Sequence, residues 1–160
     1  MSGDLRVFNR QRAPTVDSRR LRSLILSLLE EGMKLEEFDL AVHLVGERAM
    51  AKCNEKYLGH KGTTDVITLD YGDNGPAGAP IGEIFVCVDE ALAQGRQFRV
   101  PWQEELVRYI IHGILHLRGH DDRDTQARRR MKREEGRWLK KLDGSFHLSK
   151  PARKTRVTSL

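Results

Sequence analysis

Apolar positions along this chain switch between a helical and an alternating period. Over Ser18 to Glu31, Leu21, Leu24, Ile25, Leu28 and Leu29 recur every three or four residues, which sets them on one face of a helix. Asp17 stands where an N-cap belongs, and Gly32 where a helix stops. Phe38 to Val45 alternates instead, with Phe38, Leu40, Val42 and Leu44 on one side, the mark of a half-buried strand. A short strand over Leu5 to Phe8 is expected before the first helix, and a second helix over Glu47 to Tyr57. Thr64 to Tyr71 is β-branched and strand-like. Gly72 to Pro80, with three glycines and two prolines, is a loop. Ile81 to Val88 reads as a strand, after which Asp89 is expected to cap a helix to Arg99. Pro101 suits the first turn of a helix that runs to Leu117 and stops at Gly119. A last helix, about Asp124 to Leu142, carries a dense basic face.

Strands and helices therefore mix without regular alternation, which predicts a single α+β domain: a small mixed sheet packed with helices. At 160 residues the chain has room for one core. Residues 1–142 form the expected domain, and 143–160 a basic tail with little order beyond Gly144. The net charge is +5, and it is uneven. Lys140, Lys141, Lys150, Arg153, Lys154 and Arg156 face a single acid, Asp143, in residues 140–160, which leaves 22 charges of each sign elsewhere. Such a tail either meets a polyanionic partner or is simply solvated. Cys53 and Cys87 form no C-x-x-C pair, so reduced, partly buried thiols are expected rather than a cysteine metal site. With no apolar run of membrane-spanning length and no signal-like N-terminus, no membrane association is expected and the protein is read as cytoplasmic.

The chemistry concentrates in HGILHLRGHDD, His112 to Asp122. His112 and His116, four residues apart, project from one helix face and can reach a single ion. They share that face with Arg108 and Gly119, whereas Ile110, Ile114 and Leu117 supply the apolar stripe, so packing gives the histidines no reason to recur. Gly119 then turns the chain back and brings a third ligand within reach. Spacing puts Asp122 there; His120, with the side chain more usual for zinc, and Asp121 are the alternatives. This is the layout of the metzincin pattern H-E-x-x-H-x-x-G-x-x-H, except that Gly113 stands where a protease carries its general-base glutamate. Peptidase chemistry is therefore disfavoured. Tyr57, Tyr71 and Phe98 could stack bases, with core roles the better expectation; Thr64 reads as structural, and Asp65 as either a site residue or a strand start.

The same stretch resembles the YbeY family of bacterial metal-dependent endoribonucleases, whose signature H-G-x-L-H-L-x-G-[YFH]-D-[HD] it follows. An upstream block, NEKYLGHKGTTDVITLD (Asn54 to Asp70), and GEIFVCVDEA (Gly82 to Ala91) match further motifs, and the likeness runs from about Leu5 to Leu139. His120 stands where tyrosine is usual, and Asp122 where the third metal-binding histidine is usual. The family's arginine aligns with Leu58 and its lysine two positions on with His60, so the guanidinium expected to hold phosphate is replaced; Lys61, His60 or Arg118 could substitute. The resemblance implies an α+β fold with the metal helix at its centre. It implies zinc, one ion per chain, for which the spacing favours His112, His116 and Asp122 as ligands; catalysis is expected at His112 and His116, with metal hydroxide, a ligand carboxylate or a nearby histidine such as His120 as the base. The implied activity is cleavage of single-stranded RNA in late maturation of the small-subunit ribosomal RNA 3′ end and in ribosome quality control. The implied partners are small-subunit ribosomal proteins and an Era-like GTPase. A ribosome-assembly RNA-binding factor with a structural metal is the alternative.

Overall fold

A computed structural model describes residues 3–72 and 78–145. The elements are β1 (Gly3–Asn9), α1 (Ser18–Ser27, extended by a wider π turn over Leu28–Gly32), β2 (Phe38–Val45), α2 (Glu47–Cys53, extended likewise over Asn54–Leu58), β3 (Val66–Asp70), β4 (Ile81–Cys87), α3 (Val88–Phe98), α4 (Trp102–Leu117) and α5 (Thr125–Ser145). The sheet order is β1-β2-β4-β3. β1, β2 and β4 run parallel, and β3 pairs antiparallel with β4 at one edge. The expected mixed sheet with helices packed on it is what forms.

The alternation in β2 sorts the two faces. Leu40, Val42 and Leu44 join Leu5, Ile84 and Val86 under α1 and α4 in the main core. The opposite face is smaller: Val45, Ile67, Phe85 and Cys87 pack with Met50 of α2. α4 is the most enclosed helix, with nine residues buried, among them Ile110, Ile114 and Leu117 of the expected stripe. Each such aliphatic side chain withdrawn from water stabilises the fold by about 1.5–3 kcal/mol. α3, α5 and the β3–β4 edge surround α4, so the helix bearing the two histidines is central. Among the described residues, no helix is long and apolar enough to cross a membrane.

Gly113 explains how α4 lies so close to the sheet. A Cβ at this position would sit 2.8 Å from Ile84 Cγ2 and 3.0 Å from two further Ile84 carbons. Gly113→Ala is accordingly expected to lose about 1–3 kcal/mol through overpacking, read as a lower midpoint in thermal or urea unfolding.

Several expected boundaries moved for physical reasons. Asp17 does cap α1, accepting from Arg20 N–H at 3.2 Å. Gly32, however, does not turn the chain: positive φ occurs at Lys34, while a Cβ at Gly32 would meet the Trp138 ring at 3.0 Å. Asp89 does not cap α3, whose N-cap is Cys87. Its carboxylate instead accepts from Glu47 N–H at 2.6 Å and so caps α2. The strand begins at Val66 rather than Thr64, and β4 ends at Cys87. Cys87 is buried and Cys53 half-buried, both unpaired. The tail beyond Ser145 lies outside the described residues.

Candidate metal centre

α4 delivers its histidines to an open cleft because every other side of the helix is packed. His112 and His116, one turn apart, remain partly exposed at 24% and 29%. Gly119, at φ +96°, supplies the left-handed residue that ends the helix. The chain then returns so that Asp122 faces both imidazoles.

The three donor atoms converge. His112 Nε2 and His116 Nε2 are 3.1 Å apart. Asp122 Oδ2 lies 3.9 Å from the first and 3.8 Å from the second. A triangle with those sides has a circumscribed radius of about 2.1 Å, which is the length of a bond from nitrogen or oxygen to zinc. The donor set of two imidazoles and a carboxylate thus fits one small divalent cation, with the Asp122 carboxylate closing by a few tenths of an ångström for a tetrahedral centre. Of the third-ligand alternatives, Asp122 is the residue in this group; His120 and Asp121 are not.

A residue not singled out in the sequence completes the centre. Glu135 of α5 is buried at 6% exposure, and its Oε2 lies 2.6 Å from His112 Nδ1. A carboxylate can only accept there, so Nδ1 carries the hydrogen and Nε2 turns its lone pair to the cleft. Arg108 is 3.8 Å from the other oxygen of Glu135. The signal was present in α5: Glu135 falls on the stripe of Met131, Trp138 and Leu142, where an acid has no apolar function.

The two imidazoles are driven apart electrostatically. Burial alone would lower the His112 pKa, but the hydrogen bond and charge of Glu135, with Asp122 and Asp65, raise it above its ordinary value. Burial and the neighbouring His112 lower that of His116. Since a cation must displace the His112 proton, its apparent affinity should weaken as pH falls through the raised His112 pKa, by about tenfold per pH unit. Chelator competition across a pH series measures this slope.

The cleft, about 550 Å3, is lined by Leu58, Thr68 and Asp70 as well as the triad. Thr64 and Asp65 line it too. Asp65 also accepts from Val66 N–H at 2.8 Å, so it starts the strand as well as facing the site. His60 and Lys61 are exposed and do not line this cleft. Arg118 lines a neighbouring groove with Asp70 and Gly119. His120 is half-buried and lies outside the lining. Tyr57, Tyr71 and Phe98 are not core residues: they are 42%, 45% and 61% exposed.

Fold and site together define an α+β domain with a candidate metal centre, whose histidines come from one buried helix and whose third donor follows a glycine turn. The family profile described as Endoribonuclease YbeY matches residues 6–143. A Chlorobium phaeovibrioides protein named Endoribonuclease YbeY is 33% identical over 139 residues, spanning 86% of this chain and 90% of that protein. One of the same name from Thermodesulfovibrio yellowstonii is 32% identical over 145 residues, spanning 81% and 91%. The solution structure of TM1509 from Thermotoga maritima shares the fold, with a TM-score of 0.66 at 24% identity over 96% of this chain and 99% of that one. This chain belongs to the YbeY family.

Proposed function

We propose that this chain is a zinc-dependent endoribonuclease that cuts single-stranded RNA, with late maturation of the small-subunit ribosomal RNA 3′ end in the cytoplasm as its setting. The observation that carries the reading is the convergence of His112, His116 and Asp122 on one point in an open polar cleft. The names of the relatives support the activity. When bound, a zinc ion would supply a water of lowered pKa and polarise a phosphoryl oxygen. Glu135 holds His112 in the ligating tautomer. The second oxygen of Asp122 takes the proton of the attacking water, because His120 lies outside the cleft lining. Lys61, His60 and Arg118, outside the cleft, hold phosphates of the strand on either side of the cut. Small-subunit ribosomal proteins and an Era-like GTPase are the partners this role calls for.

A peptidase reading loses ground on the packing of Gly113, since a glutamate there would collide with Ile84. The assembly-factor reading keeps one specific observation: Leu58 lines the cleft where the family places an arginine, and a leucine cannot stabilise developing phosphate charge. Zinc content by elemental analysis and cleavage of a single-stranded RNA decide between them. Stoichiometric zinc with cleavage supports the nuclease; stoichiometric zinc with RNA binding and no cleavage supports the assembly factor. Leu58→Arg is expected to raise kcat on RNA by about 10-fold or more, with zinc content unchanged.

A further inference from the structure

The sheet face opposite α4 carries a row of aromatic rings whose outer members, Phe8 and Tyr57, belong to neither the core nor the metal centre. The register sets Phe8 beside His43 and His43 beside Phe85 across three strands. Their rings stack, with centroids 5.2 Å and 4.4 Å apart and planes within 20° and 10°. Tyr57 extends the row, 6.1 Å from Phe85. A polar ladder holds the middle rigid: Arg10 Nε donates to His43 Nδ1 at 3.1 Å, His43 Nε2 donates to Glu83 at 2.8 Å, and Tyr71 OH donates to Glu83 at 2.8 Å. Burial would raise the Glu83 pKa, but the hydrogen bonds from Tyr71 and His43 and the charge of Arg6 outweigh it and hold the carboxyl below its ordinary value.

Those bonds account for His43 and Glu83. They leave the outer rings unexplained, for Phe8 is 37% and Tyr57 42% exposed. Exposed rings grouped on one face mark a surface that meets something. Cations sit over both: Arg10 lies 5.1 Å from the Phe8 centroid and Lys56 5.1 Å from that of Tyr57. Beyond Arg10 a groove of about 440 Å3 continues with Arg12, Arg48 and Lys52. Its two acids are Glu47 and Asp89, and Asp89 is engaged with the Glu47 N–H. At the other end Tyr57 is followed in the chain by the cleft-lining Leu58, which puts that end of the row next to the metal cleft along the chain.

We propose that the exposed rings of Phe8 and Tyr57, backed by the buried His43 and Phe85, and the basic groove beyond Arg10 form a platform for single-stranded RNA that leads away from the metal cleft. The proposal rests on the nuclease reading for the cleft but not for the platform itself. Stacked rings beside a cationic groove bind a strand of any sequence, because every base has a π-face and every linkage a charge. A protein partner would match the rings, but the four-to-two excess of cations in the groove matches a polyanion.

The test uses the zinc-loaded full chain and fluorescein-labelled, uncleavable 2′-O-methyl oligouridylates. A strand of about twelve residues would cover the row and groove, and one of about four only the cleft. Phe8→Ala/Tyr57→Ala and, separately, Arg48→Glu/Lys52→Glu should each weaken the longer strand at least ~10-fold by anisotropy. Both should leave binding of the shorter strand, zinc content and the melting temperature unchanged. Phe8→Tyr should bind as wild type. The charge variant, at exposed positions, keeps the test decisive if the ring variant unfolds. Wild-type binding of the longer strand by both double variants, or equal loss on both strands, overturns the platform. If the wild type binds the longer strand through this face yet cuts no RNA, the nuclease reading fails and the platform stands. If it cuts RNA and the charge variant binds the longer strand unchanged, the nuclease stands and the platform falls.

Discussion

His116→Ala is expected to purify without its metal and to cut no RNA. The alanine leaves His112 Nε2 and Asp122 Oδ2, 3.9 Å apart, as the remaining protein donors. Two donors do not hold a zinc ion against solvent where three define a site, so affinity should fall by at least ~10³-fold, more than the tenfold to hundredfold typical of losing an outer-shell partner. The fold should survive. The polar contacts of His116 are to His112, at 3.1 Å, and to Asp122, and its side chain is 29% exposed. In the metal-free state the alanine should even help in acid. Burial and His112 hold the His116 pKa below its ordinary value, so protonating it costs stability as pH falls below that value, and alanine removes the cost. Elemental analysis after dialysis, an RNA cleavage assay and a melting curve near pH 5 read the three consequences. A full complement of zinc in this variant would mean that the ion sits elsewhere.

The convergence of His112, His116 and Asp122 was legible because its information is local. The i, i+4 spacing, the glycine stop and the position of Asp122 lie within eleven residues, and a helix followed by a turn admits few geometries. The same holds for α1, whose apolar period and Asp17 cap appear as read. What stayed hidden depends on contacts distant in sequence. Glu135 lies 23 residues beyond His112, in a helix whose charge drew the eye to its basic, solvated face rather than to the one acid on its buried stripe. Asp89 looked like the cap of its own helix, but β4 brings it against the start of α2, whose Gly46 has no side chain to offer. The ring row could not be read at all, because Phe8, His43 and Phe85 become neighbours only through the strand order β1-β2-β4. Tyr57 and Tyr71 were expected in the core on general hydrophobicity. Residues at a helix end and just past an edge strand have little to bury them, and the structure leaves both exposed.

Glu135 carries the second large effect. Glu135→Ala should lower zinc affinity about 10–100-fold, the usual consequence of removing the acceptor behind a metal-ligating histidine. Without it, His112 is free to rotate or to move its hydrogen to Nε2, and that tautomer cannot ligate. Glu135→Gln separates this role from charge. An amide oxygen can still accept from Nδ1–H, so the correct tautomer survives and most of the affinity should remain. The negative charge does not survive, and the His112 pKa should fall toward its ordinary value, since Glu135 is the principal cause of its rise. The metal-free proteins should then differ with a definite sign. In the wild type the Glu135–His112 pair contributes stability that is fully present below the unfolded histidine pKa of about 6.5 and is lost as pH rises through the raised folded value. The glutamine variant should lack that acid-side stabilisation and differ less from wild type at pH 8. Its zinc affinity should decline less steeply below neutrality, because a less basic His112 gives up its proton more readily. Zinc titrations and melting curves at pH 5.5 and pH 8 for both variants distinguish orientation from charge. Equal losses in the alanine and glutamine variants at every pH would mean that Glu135 only fills space between α4 and α5.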